Sequence, residues 1–116
     1  MEFFLSDPNI ERLAPEKTRI LDLHAELLAD GRRLRVALEL TPFLNRPTIE
    51  IALKDGDGNE LVSTSIVEPV GWKLEVTLHI RIRPSGDGKS SLSASLVYPE
   101  LGQVDRREIP IEVPVS

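Results

Sequence analysis

The stretch Trp72-Lys73-Leu74-Glu75-Val76-Thr77-Leu78-His79-Ile80-Arg81-Ile82-Arg83 decides the fold. Trp72, Leu74, Val76, Leu78, Ile80 and Ile82 alternate with Lys73, Glu75, Thr77, His79, Arg81 and Arg83. A β-strand points successive side chains to opposite faces, so this alternation sorts every apolar residue to one side and every polar one to the other. A period of two sustained over twelve residues predicts a strand with one face in a core and one in water.

The same period recurs on both sides of that stretch. Leu21, Leu23, Ala25 and Leu27 alternate with Asp22, His24 and Glu26, which places the four apolar residues inward. On a helix Asp22, His24 and Glu26 would wrap around the cylinder instead of sharing one side. After the turn signal Ala29-Asp30-Gly31-Arg32, the residues Leu34, Val36, Leu38 and Leu40 alternate with Arg33, Arg35, Ala37 and Glu39, so 18–41 reads as a hairpin. Pro42-Phe43-Leu44-Asn45-Arg46-Pro47 breaks the pattern, and Ile49, Ile51 and Leu53 resume it, with Glu50, Ala52 and Lys54 facing out.

Asp55-Gly56-Asp57-Gly58-Asn59 is a hairpin turn by composition, because these residues tolerate positive φ. Residues 60–67 form a less regular strand, facing inward with either Leu61 and Val67 or Val62 and Ile66. Beyond Pro84-Ser85-Gly86-Asp87-Gly88, the residues Leu92, Ala94, Leu96 and Tyr98 alternate with Ser91, Ser93, Ser95 and Val97. Ile109, Ile111 and Val113 belong to a final strand, and Pro110 and Pro114 make it an edge, since proline cannot complete a ladder on both sides. Short strands at regular spacing with no helical segment between them predict an all-β, antiparallel two-sheet β-sandwich of about seven strands in one domain over 18–116. Residues 1–17, with Pro8, Ile10, Leu13 and Pro15, are expected to be an N-terminal arm or an extra edge strand.

The order of elements resembles an immunoglobulin-like or fibronectin-III-like sandwich, with strands A (18–28), B (33–41), C (47–54), C′ (60–67), E (72–83), F (89–98) and G (104–114). The resemblance is one of architecture. The chain has no cysteine pair, Trp72 opens strand E instead of lying on strand C, and Tyr98 ends strand F instead of forming a corner at its start. Such an architecture carries no function with it.

Composition narrows the function classes. The 116 residues include 19 acidic and 14 basic side chains, for a net charge of −5. An acidic domain repels both a phosphate backbone and an anionic membrane, so neither nucleic acid nor membrane is an expected partner. The absence of cysteine removes disulfides, thiolate metal sites and a cysteine nucleophile. Together with a start, Met1 to Leu5, that lacks the basic and apolar regions of a secretion signal, it leads to an expectation of a soluble, cytoplasmic protein.

Three strings imitate chemical motifs. Asp55, Asp57 and Asn59 have the spacing of a calcium loop, but Glu60 stands where that loop needs glycine and Ile66 where it needs a glutamate, so the turn reading is preferred. Gly88-Lys89-Ser90 ends like a phosphate-binding loop, but the first glycine that motif requires would fall at Arg83 and no helix follows. His24 and His79, the only histidines, are expected on the outer face of the A-B-E sheet. Two strand spacings there give a separation of roughly 10 Å, too far for one metal without carboxylate help. Asp22, Glu26, Arg35, Glu39, Glu75 and Arg81 share that face and read as cross-strand charge pairs. Arg32-Arg33 and Arg106-Arg107 read as solubilising pairs.

The least ordinary feature is a flat surface of small side chains, with Ser91, Ser93 and Ser95 beside Ala52, which another sheet or chain can approach closely unless Glu50, Arg106 or Glu108 lies across it. Phe3, Phe4 and Leu5, or Phe43 and Leu44, are candidate anchors, the competing expectation being that they pack over an open end of the sandwich. The resulting expectation is a non-catalytic protein–protein interaction or assembly module, a homodimer or a complex with a protein partner, without a cofactor. The alternative is a small-ligand or calcium-binding sandwich, and an enzyme ranks last.

Overall fold

The computed structural model describes residues 11–115. Seven strands follow a short 3-10 turn at Pro15–Lys17: β1 (Ile20–Leu27), β2 (Arg33–Leu40), β3 (Thr48–Asp55), β4 (Glu60–Val67), β5 (Lys73–His79), β6 (Lys89–Tyr98) and β7 (Gly102–Glu112). They form two antiparallel sheets, one ordered β1-β2-β5 and the other β4-β3-β6-β7. This is the two-sheet sandwich that the alternation predicts, with the A-B-E strands in one layer and C and F adjacent in the other. No helix among the described residues is long and apolar enough to cross a membrane.

The core lies between the sheets. Leu34, Val36, Leu38 and Leu40 of β2 meet Ile49, Ile51 and Leu53 of β3 and Leu92, Ala94 and Leu96 of β6, all buried. These are the central strands, so each is covered on both sides and contributes the full value of its burial, about 1.5–3 kcal/mol per large side chain. Trp72 closes one end of the core, edge-on to Phe43 with ring centroids 6.0 Å apart.

Three local departures from simple alternation matter. A bulge between Ile20 and Asp22 turns Leu21 outward, 49% exposed, and Ile20 takes the core position. The inward assignment of Leu21 is therefore corrected: a bulge adds one residue and resets the phase of the strand. The freed amide of Ile20 donates to the Asp105 carboxylate on β7, 2.8 Å away, tying the two sheets together along one side. In β4 a second bulge next to Leu53 buries Leu61 and leaves Val62 and Ile66 against the core, while Val67 points to solvent. Finally, β5 ends at His79 and not at Arg83. Its ladder partner β2 begins at Arg33, which pairs with His79, so only the amide of Ile80 finds one more acceptor, the Arg32 carbonyl. Ile80 is buried, but Ile82 lies in the following loop and is exposed.

The final strand is an edge of its sheet, as its prolines require. It starts at Gly102, two residues earlier than expected, because Gly102 takes positive φ (74°) in a tight turn from β6. Within 11–17, Leu13 makes one isolated parallel bridge to Phe43, and Pro15–Lys17 is the 3-10 turn. Phe3, Phe4, Leu5, Pro8 and Ile10 lie outside the described residues.

Candidate functional site

The serine surface forms on the outer face of the four-stranded sheet. Ala52 stands between Ser63 of β4 and Ser93 of β6, and Glu50 stands between Ser65 and Ser95. These small side chains, with Glu50 and Glu60, line a depression of about 250 Å³. Ser63 and Ser65 belong to this lining as much as Ser93 and Ser95 do. Sequence alone does not single them out, because the alternation in β4 is irregular. Ser91 falls outside the depression, between Lys54 and Pro110. A hydrogen bond from the Ser91 hydroxyl, with a second from Arg106 at 3.0 Å, holds the Glu108 carboxyl below its ordinary pKa. Arg106 and Glu108 thus line the β7 side of the face, opposite Ser95 and Ser93, and the Ser63 hydroxyl donates to the Glu60 carboxylate at 3.0 Å.

The calcium-like turn is a knot of backbone hydrogen bonds. The Asp55 carboxylate is only 5% exposed as a residue and receives the amides of Asp57 (3.0 Å), Asn59 (2.9 Å) and Ser85 (3.1 Å), the Asn59 side-chain amide (3.2 Å) and the Ser85 hydroxyl (3.0 Å). The amide of Ser85, first among these donors, holds the Asp55 carboxyl far below the usual carboxylate range. The Ser85 hydroxyl also lies within reach of the Asp57 carboxylate, so its single proton is shared between Asp55 and Asp57. The lone pairs that a cation would need are committed to donors from two loops. Asp55 therefore latches the β3–β4 turn to the β5–β6 loop. No group of three or more His, Cys, Asp or Glu able to hold a metal occurs among the described residues.

Gly88, in the phosphate-loop-like string, has φ of +83°, and a Cβ there would lie 2.3 Å from the Val113 carbonyl oxygen. Its own carbonyl accepts the Val113 amide at 2.9 Å. Glycine is required at this point by the close passage of another backbone. The lysine that follows, Lys89, starts β6 and is exposed.

The histidines share the outer face of the three-stranded sheet, but the expected separation is corrected by the register. His24 lies opposite Ala37 and, beyond it, Glu75, whereas His79 lies opposite Arg33. Four residues of offset add about 13 Å along the strands, for a total near 16 Å. His24 instead pairs with Asp22 at 3.0 Å on the rim of a depression of about 420 Å³, whose floor is Ala37 and whose other walls are Glu39, Lys73 and Glu75. Glu26 and Arg35 form the expected cross-strand pair, 3.5 Å apart. Arg33 and Arg106 of the two arginine pairs are each bound to an acid, Asp30 and Glu108.

One surface is visible only in the structure. The loops 41–47, 68–72 and 99–101 and residues 11–17 meet at one end of the sandwich. Phe43 is buried there against Trp72, which satisfies the packing expectation, but Leu44 is exposed. Val67, 67% exposed, Val70, Leu101 and the bulged Leu21 lie at the same end. Beside Leu101 is a hollow of about 430 Å³ lined by Pro15, Tyr98, Pro99 and Leu101 and rimmed by Glu16, Asn45, Arg46 and Glu100. The buried Tyr98 hydroxyl donates to the Asn45 carbonyl at 2.7 Å and lies 3.3 Å from the Thr18 hydroxyl, so the wall of the hollow is fixed. Burial raises the pKa of Tyr98.

No protein-family model and no curated protein matches the chain. Solved structures do. A β-glucuronidase from Bifidobacterium dentium, complexed with coumarin-3-O-glucuronide, aligns with 83% of this chain at a TM-score of 0.56 and 14% identity. A β-glucuronidase from Lactobacillus rhamnosus aligns with 84% at a TM-score of 0.53 and 15% identity. A glycoside hydrolase family 2 member from Bacteroides cellulosilyticus aligns with 83% at a TM-score of 0.57 and 12% identity. At such identities the likeness is one of fold. The chain spans 18%, 16% and 15% of those proteins, less than a fifth of each.

Proposed function

We propose that this domain is a non-catalytic protein–protein interaction module that docks through the apolar end of its sandwich. The observation that carries the reading is the clustering of exposed apolar side chains. Seven large ones are exposed among the described residues, and five of them, Leu21, Leu44, Val67, Val70 and Leu101, lie at one end, while Ile82 and Val115 lie at the other. Single exposed apolar residues are ordinary, but five at one end of the sandwich, with Leu101 lining a hollow whose rim is charged, have the composition of an interface core. The partner it fits is a protein surface offering apolar side chains to Leu44, Val70 and the Leu101 hollow.

The non-catalytic part of the reading is supported by the distance between the histidines and by the commitment of Asp55 to backbone amides. Acid–base work needs groups that converge on one substrate atom. The neighbouring folds belong to glycoside hydrolases, yet the match covers less than a fifth of each, so their activity is not carried over.

The test is purification of the tagged chain from its native cells, with stoichiometry and partner identity read by mass spectrometry, beside a Leu44→Asp/Val70→Asp variant. Both side chains are exposed, so the variant should melt within a few degrees of the parent. A stoichiometric complex that the variant loses supports the proposal. A complex that survives the double substitution, or a chain that purifies alone, overturns it.

A further inference from the structure

Two open sheets leave four edge strands, and three of them carry charge along the strand. β1 has Asp22, His24 and Glu26; β5 has Lys73, Glu75 and His79; β7 has Asp105, Arg106, Arg107, Glu108 and Pro110. Charged side chains and proline are what discourage an edge from pairing with another strand. β4 has neither between Leu61 and Val67, where the sequence is Leu-Val-Ser-Thr-Ser-Ile-Val. Its only ladder partner among the described residues is β3, and that ladder is regular from Val62 to Val67. The opposite side of β4 therefore presents a row of backbone amides and carbonyls on a neutral strand rich in β-branched residues.

The same stretch reads almost identically in both directions. About Thr64, Ser63 mirrors Ser65, Val62 mirrors Ile66, and Leu61 mirrors Val67. An antiparallel pair related by a two-fold axis through Thr64 would set Thr64 against itself, serine against serine and β-branched residue against β-branched residue. Like-with-like cross-strand pairing of this kind is favourable and is what an isologous interface demands.

We propose that the β4 edge is a self-association site, at which a second copy of this chain adds antiparallel to β4 and joins two four-stranded sheets into one of eight. This rests on the reading of the chain as an interaction module but uses the β4 edge, which meets the apolar end only at Val67. Charge and area set its character. The two-fold brings Glu60 of each copy opposite Glu68 of the other, so like charges oppose pairing at both ends, and Lys54, opposite Glu60 on β3, offsets them in part. Salt screens that repulsion, and association strengthens as salt rises. A single strand-to-strand contact lies below about 1,200 Å² of buried surface, the range of weak complexes. The dimer is expected to dissociate at concentrations on the order of 100 µM.

Sedimentation velocity on the full chain from 10 µM to 1 mM, at low and high salt, tests this, together with two variants at the exposed Ser63 and Ser65. Ser63→Lys with Ser65→Lys places like charges across the axis and should abolish the dimer. Ser63→Lys with Ser65→Glu places opposite charges across it and should preserve or strengthen the dimer, with melting curves confirming that both variants fold. A parent chain that is monomeric at 1 mM overturns the proposal. So do two variants that behave alike, an extended peptide that occupies β4 while the chain stays monomeric, or a dimer lost in Leu44→Asp/Val70→Asp and kept in the double lysine variant. That last result would move self-association to the apolar end and leave the interaction reading standing.

Discussion

Substituting alanine at Gly88, Gly58 and Gly86 separates two reasons for glycine that look the same in sequence. All three have positive φ, +83°, +86° and +68°, so each alanine pays about 1–2 kcal/mol for a left-handed conformation. At Gly58 and Gly86 nothing lies within 4 Å of the added Cβ, and the cost stops there. At Gly88 the Cβ would sit 2.3 Å from the Val113 carbonyl oxygen, so the backbone at Val113 must retreat by about 1 Å. That movement stretches the 2.9 Å hydrogen bond from the Val113 amide to the Gly88 carbonyl, worth about 1 kcal/mol, and lifts the buried Val113 side chain from its well, at about 1–3 kcal/mol. The expected loss at Gly88 is therefore about 3–6 kcal/mol, some 2–4 above the two controls. Urea unfolding at pH 7 measures all three, and a common slope across the variants keeps the comparison valid. Gly88→Ala within about 0.5 kcal/mol of both controls would refute the close-approach argument.

Other outcomes follow from the same interactions. The Asp55 carboxyl has a folded-state pKa below its unfolded value, so its contribution to stability is complete above the unfolded value near 4 and is lost as pH falls further. The urea midpoint of the parent should drop below pH 4, and Asp55→Asn should be destabilised at pH 7 and show a flatter acid limb; parallel pH profiles would contradict the latch. Calcium at 5 mM should leave the melting temperature of the parent unchanged, because binding to the native state would have to raise it. Tyr98→Phe removes a hydrogen bond of 2.7 Å to the Asn45 carbonyl and should lower stability by about 1 kcal/mol in thermal or urea unfolding. Leu21→Ser, at the bulged and exposed position, should change stability by less than about 0.5 kcal/mol, and a loss of core magnitude would place Leu21 inside after all.

What the residues reveal in advance is what depends on local period. Seven strands, their inward faces and their turns are legible because alternation and turn chemistry are properties of adjacent residues. The bulge at Leu21 is not, since a bulge exists only relative to a partner strand, and the alternation of Leu21, Leu23 and Ala25 is unbroken on paper. The length of β5 is set by where β2 starts, and the separation of His24 from His79 by the register of two ladders. Ser85 lies 30 positions from Asp55, so nothing in the turn sequence announces that its carboxylate serves a second loop. The apolar end is the least legible in sequence: Leu44, Val70 and Leu101 are single residues in separate polar loops, and only the topology gathers them. The serine surface was legible in half, because β6 alternates cleanly and β4, which supplies Ser63 and Ser65, does not.

The hydrogen bond from Ile20 to Asp105 also has a consequence in time. It joins residues 85 positions apart, so the first strand cannot be tied to its neighbour in the other sheet until the last strand exists. A chain emerging from the ribosome at roughly 5–20 residues per second must therefore wait about 4–17 seconds between making the donor and making the acceptor. Late in that interval, once β6 has been made, it lacks its β7 neighbour, while the neutral stretch Leu61–Val67 has already emerged. The last eleven-residue strand is thus the closing move of the fold, and a chaperone or a second nascent chain has its best opportunity just before it.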